Sequence, residues 1–262
     1  MINLQVSFVG EVYFAITTKE EGLGCLKGIK NVVKQIHPDI AIVVDGEYPY
    51  ICYENLNLLR CCLLVSDESG HSKNNIIERD VSVHLCQYIV LLKSKLLELE
   101  KNISLNVNRL YVNSPINVIP EFSYTQFEIR TNNSLKIIKE EIEKINNYFS
   151  IDLNYIIFFK IIDERKKYLL SESITLLKLV HKVNNGLGLT CKSVVVNSEL
   201  DYLLSCNIDA IAIGIGIGGR THTASEYLDT SNYDLSIFRL WVIVLGCLFN
   251  ISDIEKSIEV VM

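Results

Sequence analysis

The sequence predicts an α/β fold interrupted by a compact α+β segment, and three observations carry that reading. With 262 residues, 49 % of them hydrophobic, the chain can bury a real core as one large domain or two ordinary ones. Near both ends, short apolar runs such as Ile40–Val44 alternate with helix-period segments, as strands buried in a parallel sheet do. Between about Arg60 and Ile162 the alternation changes to β-α-β-β-α-β.

The elements follow in order. A strand over 9–17, a helix over 22–35 and a strand over 40–44 make one β-α-β unit. The middle region then reads as a strand over 61–65, an amphipathic helix over 81–99 and strands over 105–112 and 122–130. A helix over 134–149 and a strand over 155–162 complete it. That order is the split ferredoxin-like unit. The α/β rhythm resumes with a helix over 171–185, strands over 192–196 and 209–215, and a closing helix over 234–249. The implied organisation is 1–58 and 165–262 as two segments of one α/β domain, with 59–164 inserted as a lid.

Composition excludes several classes of partner. Thirty-one acidic against 25 basic residues give a net charge of -6, with no Lys/Arg cluster of the density that nucleic acid requires. The longest apolar run, 241–249, falls far short of the roughly 20 residues that span a membrane. Residues 1–10 lack the pattern of a secretory signal, so a cytoplasmic protein is expected. The eight cysteines form no C-x-x-C pair and mostly lie in apolar runs, as buried reduced thiols do.

Ligands in α/β sheets bind beyond the carboxyl ends of strands. Three predicted ends carry suitable groups: Thr17-Thr18-Lys19-Glu20-Glu21-Gly22, Asp45-Gly46-Glu47, and a glycine loop leading to His222. Carboxylates and an imidazole hold Zn²⁺ or Mn²⁺ while leaving a position open for water. Each also has a plainer reading. Thr18 to Glu21 fits a capping box, Asp45-Gly46 is an ordinary turn signal, and His222 fits a solvated loop. Gly214, Gly216 and Gly219 satisfy G-x-G-x-x-G, but polar residues follow where a dinucleotide fold needs a helix. The loop is better suited to bringing backbone amides to a substrate anion.

Taken in order, these segments resemble the zinc-dependent superfamily of aminoacylases, acetylornithine deacetylases, succinyl-diaminopimelate desuccinylases, glutamate carboxypeptidases and tripeptidases. The resemblance rests on the stretch from Thr17 to Gly28 with its paired glutamates, and on Asp45-Gly46 and Ser69-Gly70-His71-Ser72. Asn117-Val118-Ile119-Pro120, with Arg130 beyond it, and Gly218-Gly219-Arg220-Thr221-His222-Thr223 close the set. It implies a partial zinc-peptidase-like catalytic domain interrupted by a ferredoxin-like lid and dimerisation domain. Glu20 would be the general base, Glu21 and His222 ligands of one metal, and Asp45 a ligand of the other, with Mn²⁺ or Co²⁺ as alternatives to Zn²⁺. His71 would steady the oxyanion, Asn117 and Arg130 would hold the substrate carboxylate, and Gly218 and Gly219 would line the substrate side. The implied substrate is a small peptide or N-acyl amino acid, and the implied assembly a homodimer through the lid.

Two features depart from the family pattern. The histidine-x-aspartate strand end and the bridging aspartate that precede the paired glutamates in the family find no counterpart in the residues before Glu20. Asn197-Ser198-Glu199-Leu200-Asp201 stands where many relatives have Ser-Thr-Asp-Ala-Asn. Two expectations follow: a hydrolase part that needs a separate N-terminal fragment, or a non-catalytic remnant acting as a dimerisation or binding module.

Overall fold

The structure, a computed structural model, describes residues 10–68, 70, 71, 73, 80–153, 155–171 and 174–249. A 3-10 turn at Gly22–Gly24 leads to α1 (Lys27–Ile36), β1 (Ile40–Val44), β2 (Ile51–Glu54), β3 (Asn57–Ser66) and the short β4 (Gly70–His71). Next come α2 (Val81–Leu99), β5 (Ser104–Val112), β6 (Val118–Ile119), β7 (Phe122–Thr131), α3 (Leu135–Asn147), a π-helical turn at Tyr148–Asp152, and β8 (Ile156–Arg165). The chain continues through α4 (Thr175–Gly186), β9 (Ser193–Val195), α5 (Leu200–Ser205), β10 (Asp209–Ile213), β11 (Ile217–Gly219), β12 (Tyr227–Asp229) and α6 (Tyr233–Leu248). Two compact units result: the residues through Asn55 with those from Tyr168 onward, and Leu56–Lys167 between them.

In the Leu56–Lys167 unit the main sheet is antiparallel, in the order β5-β7-β3-β8. Burial alternates strictly along β7, so one face of the sheet is core and the other is not. Leu59, Cys61, Leu63 and Val65 of β3 meet Leu85, Tyr88 and Leu92 of α2 and Ile138 and Ile142 of α3 in one apolar cluster. Both helices start on side-chain caps: the Asp80 carboxylate accepts from Ser82 N at 2.8 Å, and Ser134 Oγ accepts from Lys136 N at 3.3 Å. The face opposite that cluster carries Arg60, Glu128, Arg130, Asp163 and Arg165, of which Asp163 and Arg165 are buried. There Glu128 accepts from Arg60 Nε at 2.6 Å and from Arg130 Nε at 2.7 Å.

The other unit is built on a sheet in the order β1-β10-β2-β9, with β1 parallel to β10, β10 antiparallel to β2 and β2 parallel to β9. β10 is its buried centre: Ala210, Ile211, Ala212 and Ile213 are all at most 1 % exposed. α4 and α5 pack against β10, α6 against α4, and α1 against α5. Gly246 lets α6 approach closely, since a Cβ there would stand 2.6 Å from Leu179 Cδ1.

Three elements differ from expectation, each for a local reason. Residues 10–17 form no strand and join no ladder among the described residues, and Phe14 and Ile16 are 77 % and 99 % exposed. Alternating apolar residues hold a strand only when a neighbour takes its hydrogen bonds and covers one face. The helix expected over 22–35 is broken at its start by left-handed backbone at Gly22, Cys25 and Leu26 (φ 52°, 52° and 59°). β1 has only β10 beside it among the described residues, so Ile40 and Val44 are exposed and Val43 alone is buried.

Candidate functional site

β1 and β10 run parallel, so their carboxyl ends meet at one edge of the sheet, where Asp45 N donates to Ile213 O at 3.1 Å. The two following loops interlock. Tyr48 N donates to Gly216 O at 2.7 Å, Glu47 bridges Gly216, and a Cβ on Gly214 would strike the Glu47 carbonyl. Gly214 is therefore required by close backbone approach, a role the sequence left open. Beyond it β11 and β12 form a hairpin, not the helix of a dinucleotide site. Gly218 and Gly219 lie on its first strand, and His222, with φ 63°, lies in the turn, its amide donating to Glu226 Oε2 at 2.9 Å.

The paired glutamates are held by a second reversal. Cβ atoms on Gly24 and Gly28 would run into the carbonyl oxygens of Lys19 and Thr18, so these glycines seat residues 18–19 against the start of α1. Lys19 is left-handed (φ 61°), and the Thr17 hydroxyl donates to the Glu199 carboxylate. This geometry overturns the capping-box reading: α1 begins at Lys27 after Leu26, and Glu21 makes no side-chain cap. Glu20 is half-buried and Glu21 exposed.

Across 201 residues of sequence, His222 Nε2 and Glu21 Oε1 stand 3.8 Å apart, each side chain 74 % exposed. Two donors on one tetrahedral Zn²⁺, each at 2.0 to 2.1 Å, are about 3.3 Å apart, so this pair needs only a small adjustment to share an ion. The fit stops there. No group of three or more His, Cys, Asp or Glu that could hold a metal occurs among the described residues, and Asp45 joins no such group. A catalytic zinc takes three protein ligands. The described donors do not make a complete metal centre.

In the Leu56–Lys167 unit, β4 pairs with β6 and sets the backbone of His71 opposite Val118, next to Asn117. The His71 side chain lies outside the described residues, and Asn117 is exposed. Arg130 lies near the far end of β7, eight residues beyond Phe122, or about 27 Å by strand rise. The structure does not bring Asn117 and Arg130 together, and a single carboxylate held within one copy meets only one of them. Arg130 is paired with Glu128 at 2.7 Å. Burial works to raise the Glu128 carboxyl, but hydrogen bonds from Arg60 and Arg130 outweigh it and hold the group below the usual carboxylate range.

Sequence reasoning missed Glu199, which holds Thr17, and two residues of α6. Ser236 Oγ donates to Ile215 O at 2.6 Å, and Arg239 NH1 to Gly214 O at 3.4 Å. A lone arginine in the apolar stretch Ile237-Phe238-Arg239-Leu240-Trp241-Val242 was the one available signal. The segment Asn197 to Asp201 starts α5: Ser198 Oγ accepts from Leu200 N at 3.2 Å, and Asn197 Nδ2 donates to Asp201 at 3.0 Å.

No family model and no curated protein matches this sequence. Solved structures do match in fold. A tripeptidase from Staphylococcus aureus superposes with a TM-score of 0.65 at 12 % identity, covering 84 % of this chain and 60 % of its own. Aminopeptidase PepT from Bacillus cereus gives 0.62 at 12 % identity, covering 87 % and 62 %. An amidase of the hydantoinase/carbamoylase family from Burkholderia vietnamiensis gives 0.64 at 13 % identity, covering 76 % and 50 %. The mixed α/β fold of this chain is thus one shared by peptidases and amidases, and the chain spans 50 % to 62 % of the length of these structures.

Proposed function

We propose that this chain belongs to the machinery of a metal-dependent hydrolase that cleaves an amide or peptide bond in a small carboxylate-bearing substrate, a peptide or an N-acyl amino acid. The observation that carries the proposal is the approach of Glu21 to His222, 3.8 Å apart and exposed, in a fold shared with peptidases and amidases. A bound Zn²⁺, Mn²⁺ or Co²⁺ pair would polarise the scissile carbonyl and acidify water. Because the described donors form only part of such a centre, the remaining ligands are assigned to a separate N-terminal fragment. In this reading Asp45 serves the second ion, and Gly218 and Gly219 offer backbone amides to the substrate.

Glu20 is assigned the general base. A half-buried carboxylate can accept a proton from water as it attacks the carbonyl and deliver it to the departing amine. We read the Leu56–Lys167 unit as a ferredoxin-like lid, a reading supported by its β-α-β-β-α-β order and by the sheet order β5-β7-β3-β8. His71, Asn117 and Arg130 would serve the substrate from this lid. The length of β7 between Asn117 and Arg130 favours two copies, each giving one of them to a site. A homodimer in the cytoplasm follows as part of the same proposal. All eight cysteines are free thiols, which suits that compartment.

The test is amine release from tripeptides and from N-acetyl and N-carbamoyl amino acids at millimolar Mn²⁺, where mass action fills even a weak site. Slow hydrolysis abolished by a chelator and lowered about a hundredfold or more by Glu20→Gln is the expected result. Release at the background rate, equal in the variant, would overturn hydrolysis by this chain alone. The second reading is a non-catalytic binding or dimerisation module, and it is favoured by the segment Asn197 to Asp201, whose polar side chains serve the start of α5.

A further inference from the structure

Arg239 is 0 % exposed, the largest fully buried side chain among the described residues, and its hydrogen-bond partners among them include no carboxylate. Nε donates to Asn184 Oδ1 of α4 at 2.7 Å, NH1 to Gly214 O at 3.4 Å, and NH2 approaches Cys191 Sγ at 3.7 Å. The guanidinium also lies 5.9 Å from the centroid of the Tyr48 ring. Burial draws it below its usual pKa, with Cys191 and Tyr48 acting in the opposite direction. An apolar residue of similar volume would pack the same space without desolvating a charge, so its presence calls for a function that packing alone does not supply.

That function is legible in what the donors reach. Ser236, one turn earlier on the same face of α6, donates to Ile215 O at 2.6 Å. On the other side of the loop Tyr48 N donates to Gly216 O at 2.7 Å. The carbonyls of three successive residues, 214, 215 and 216, are thus each taken by a donor from outside the loop. These residues are the root of the hairpin that carries Gly218, Gly219 and His222. A glycine-rich segment has the largest backbone freedom to lose, and here that freedom is removed at the root while the turn bearing His222 stays open to solvent.

We propose that Arg239, seconded by Ser236, is a positioning residue that fixes the glycine loop and through it sets His222 beside Glu21. The proposal rests on the reading of that loop as part of the site, but its first readout does not need metal or turnover. Backbone amide exchange over residues 214–222 is compared in the wild type, Arg239→Met, Arg239→Lys and Ser236→Ala, with exchange in α1, α5 and the Leu56–Lys167 unit as internal references. Arg239→Met is expected to speed exchange in the loop about threefold, as loss of one long hydrogen bond would. Ser236→Ala should speed it less, Arg239→Lys should recover part of the protection, and the references should stay unchanged. Unchanged loop exchange in Arg239→Met, or acceleration spread evenly over α1 and α5, would overturn the proposal, the latter because a merely structural arginine loosens the whole unit. Zn²⁺ titration of the same variants separates this inference from the functional one. If the wild type binds no Zn²⁺ the hydrolase reading fails, while the exchange pattern still decides the role of Arg239.

Discussion

Glu128 stands between Arg60 and Arg130 with its side chain 17 % exposed, so the three residues act as one charged group on the face of the β5-β7-β3-β8 sheet opposite its helices. Its carboxyl is held below the ordinary range, so its contribution is present in full above the unfolded value of about 4.3 and is lost as pH falls through the depressed folded value. Glu128→Gln should therefore destabilise the protein at pH 7 by about 1 to 3 kcal/mol, and the difference from wild type should shrink at pH 3. Urea unfolding at the two pH values measures this, and a difference that does not change with pH contradicts it. At this scale the sequence named Glu21 and His222 as candidate donors by residue type and position alone. It could not show the Thr17–Glu199 bond, the Glu21–His222 approach or the hydrogen-bond partners of Arg239, because each joins segments far apart in sequence that only the tertiary fold brings together.

Elements with a complete local signal matched the sequence reading. α2 occupies 81–99 as expected, since Asp80 supplies the cap and Val81, Leu85, Tyr88, Leu92 and Leu96 repeat at helical spacing. The strand expected over 9–17 does not form over the described residues 10–17, because a strand is a property of a pair and the pattern of apolar residues says nothing of whether a neighbour is present. The β11–β12 hairpin was hidden by its glycines, which read as loop. β5 is a different case, a long strand at the edge of its sheet with Leu110, Tyr111 and Val112 exposed by 59 %, 45 % and 43 %. An exposed apolar edge of this kind invites pairing with another copy. If the lid forms the dimer, Leu110→Lys should convert a dimeric wild type to monomer in sedimentation equilibrium, and a monomeric wild type contradicts that assembly.

For the whole molecule, the fold and the donors point to one account from different directions. The chain matches the fold of a tripeptidase over 84 % of its own length but only 60 % of the length of that structure. Its described residues bring Glu21 and His222 together without a third donor. Fold class was readable from the alternation of elements, whereas the completeness of the centre was not, because metal ligation depends on where several strand ends meet. The central claim is that Glu21 and His222 are two donors of one metal centre. Isothermal titration of the metal-stripped protein with Zn²⁺, beside a Glu21→Ala, His222→Ala double variant, tests it most directly. Weak binding of one ion per chain that the double variant loses is expected, and titrations of the two proteins that cannot be told apart would exclude a shared metal at Glu21 and His222.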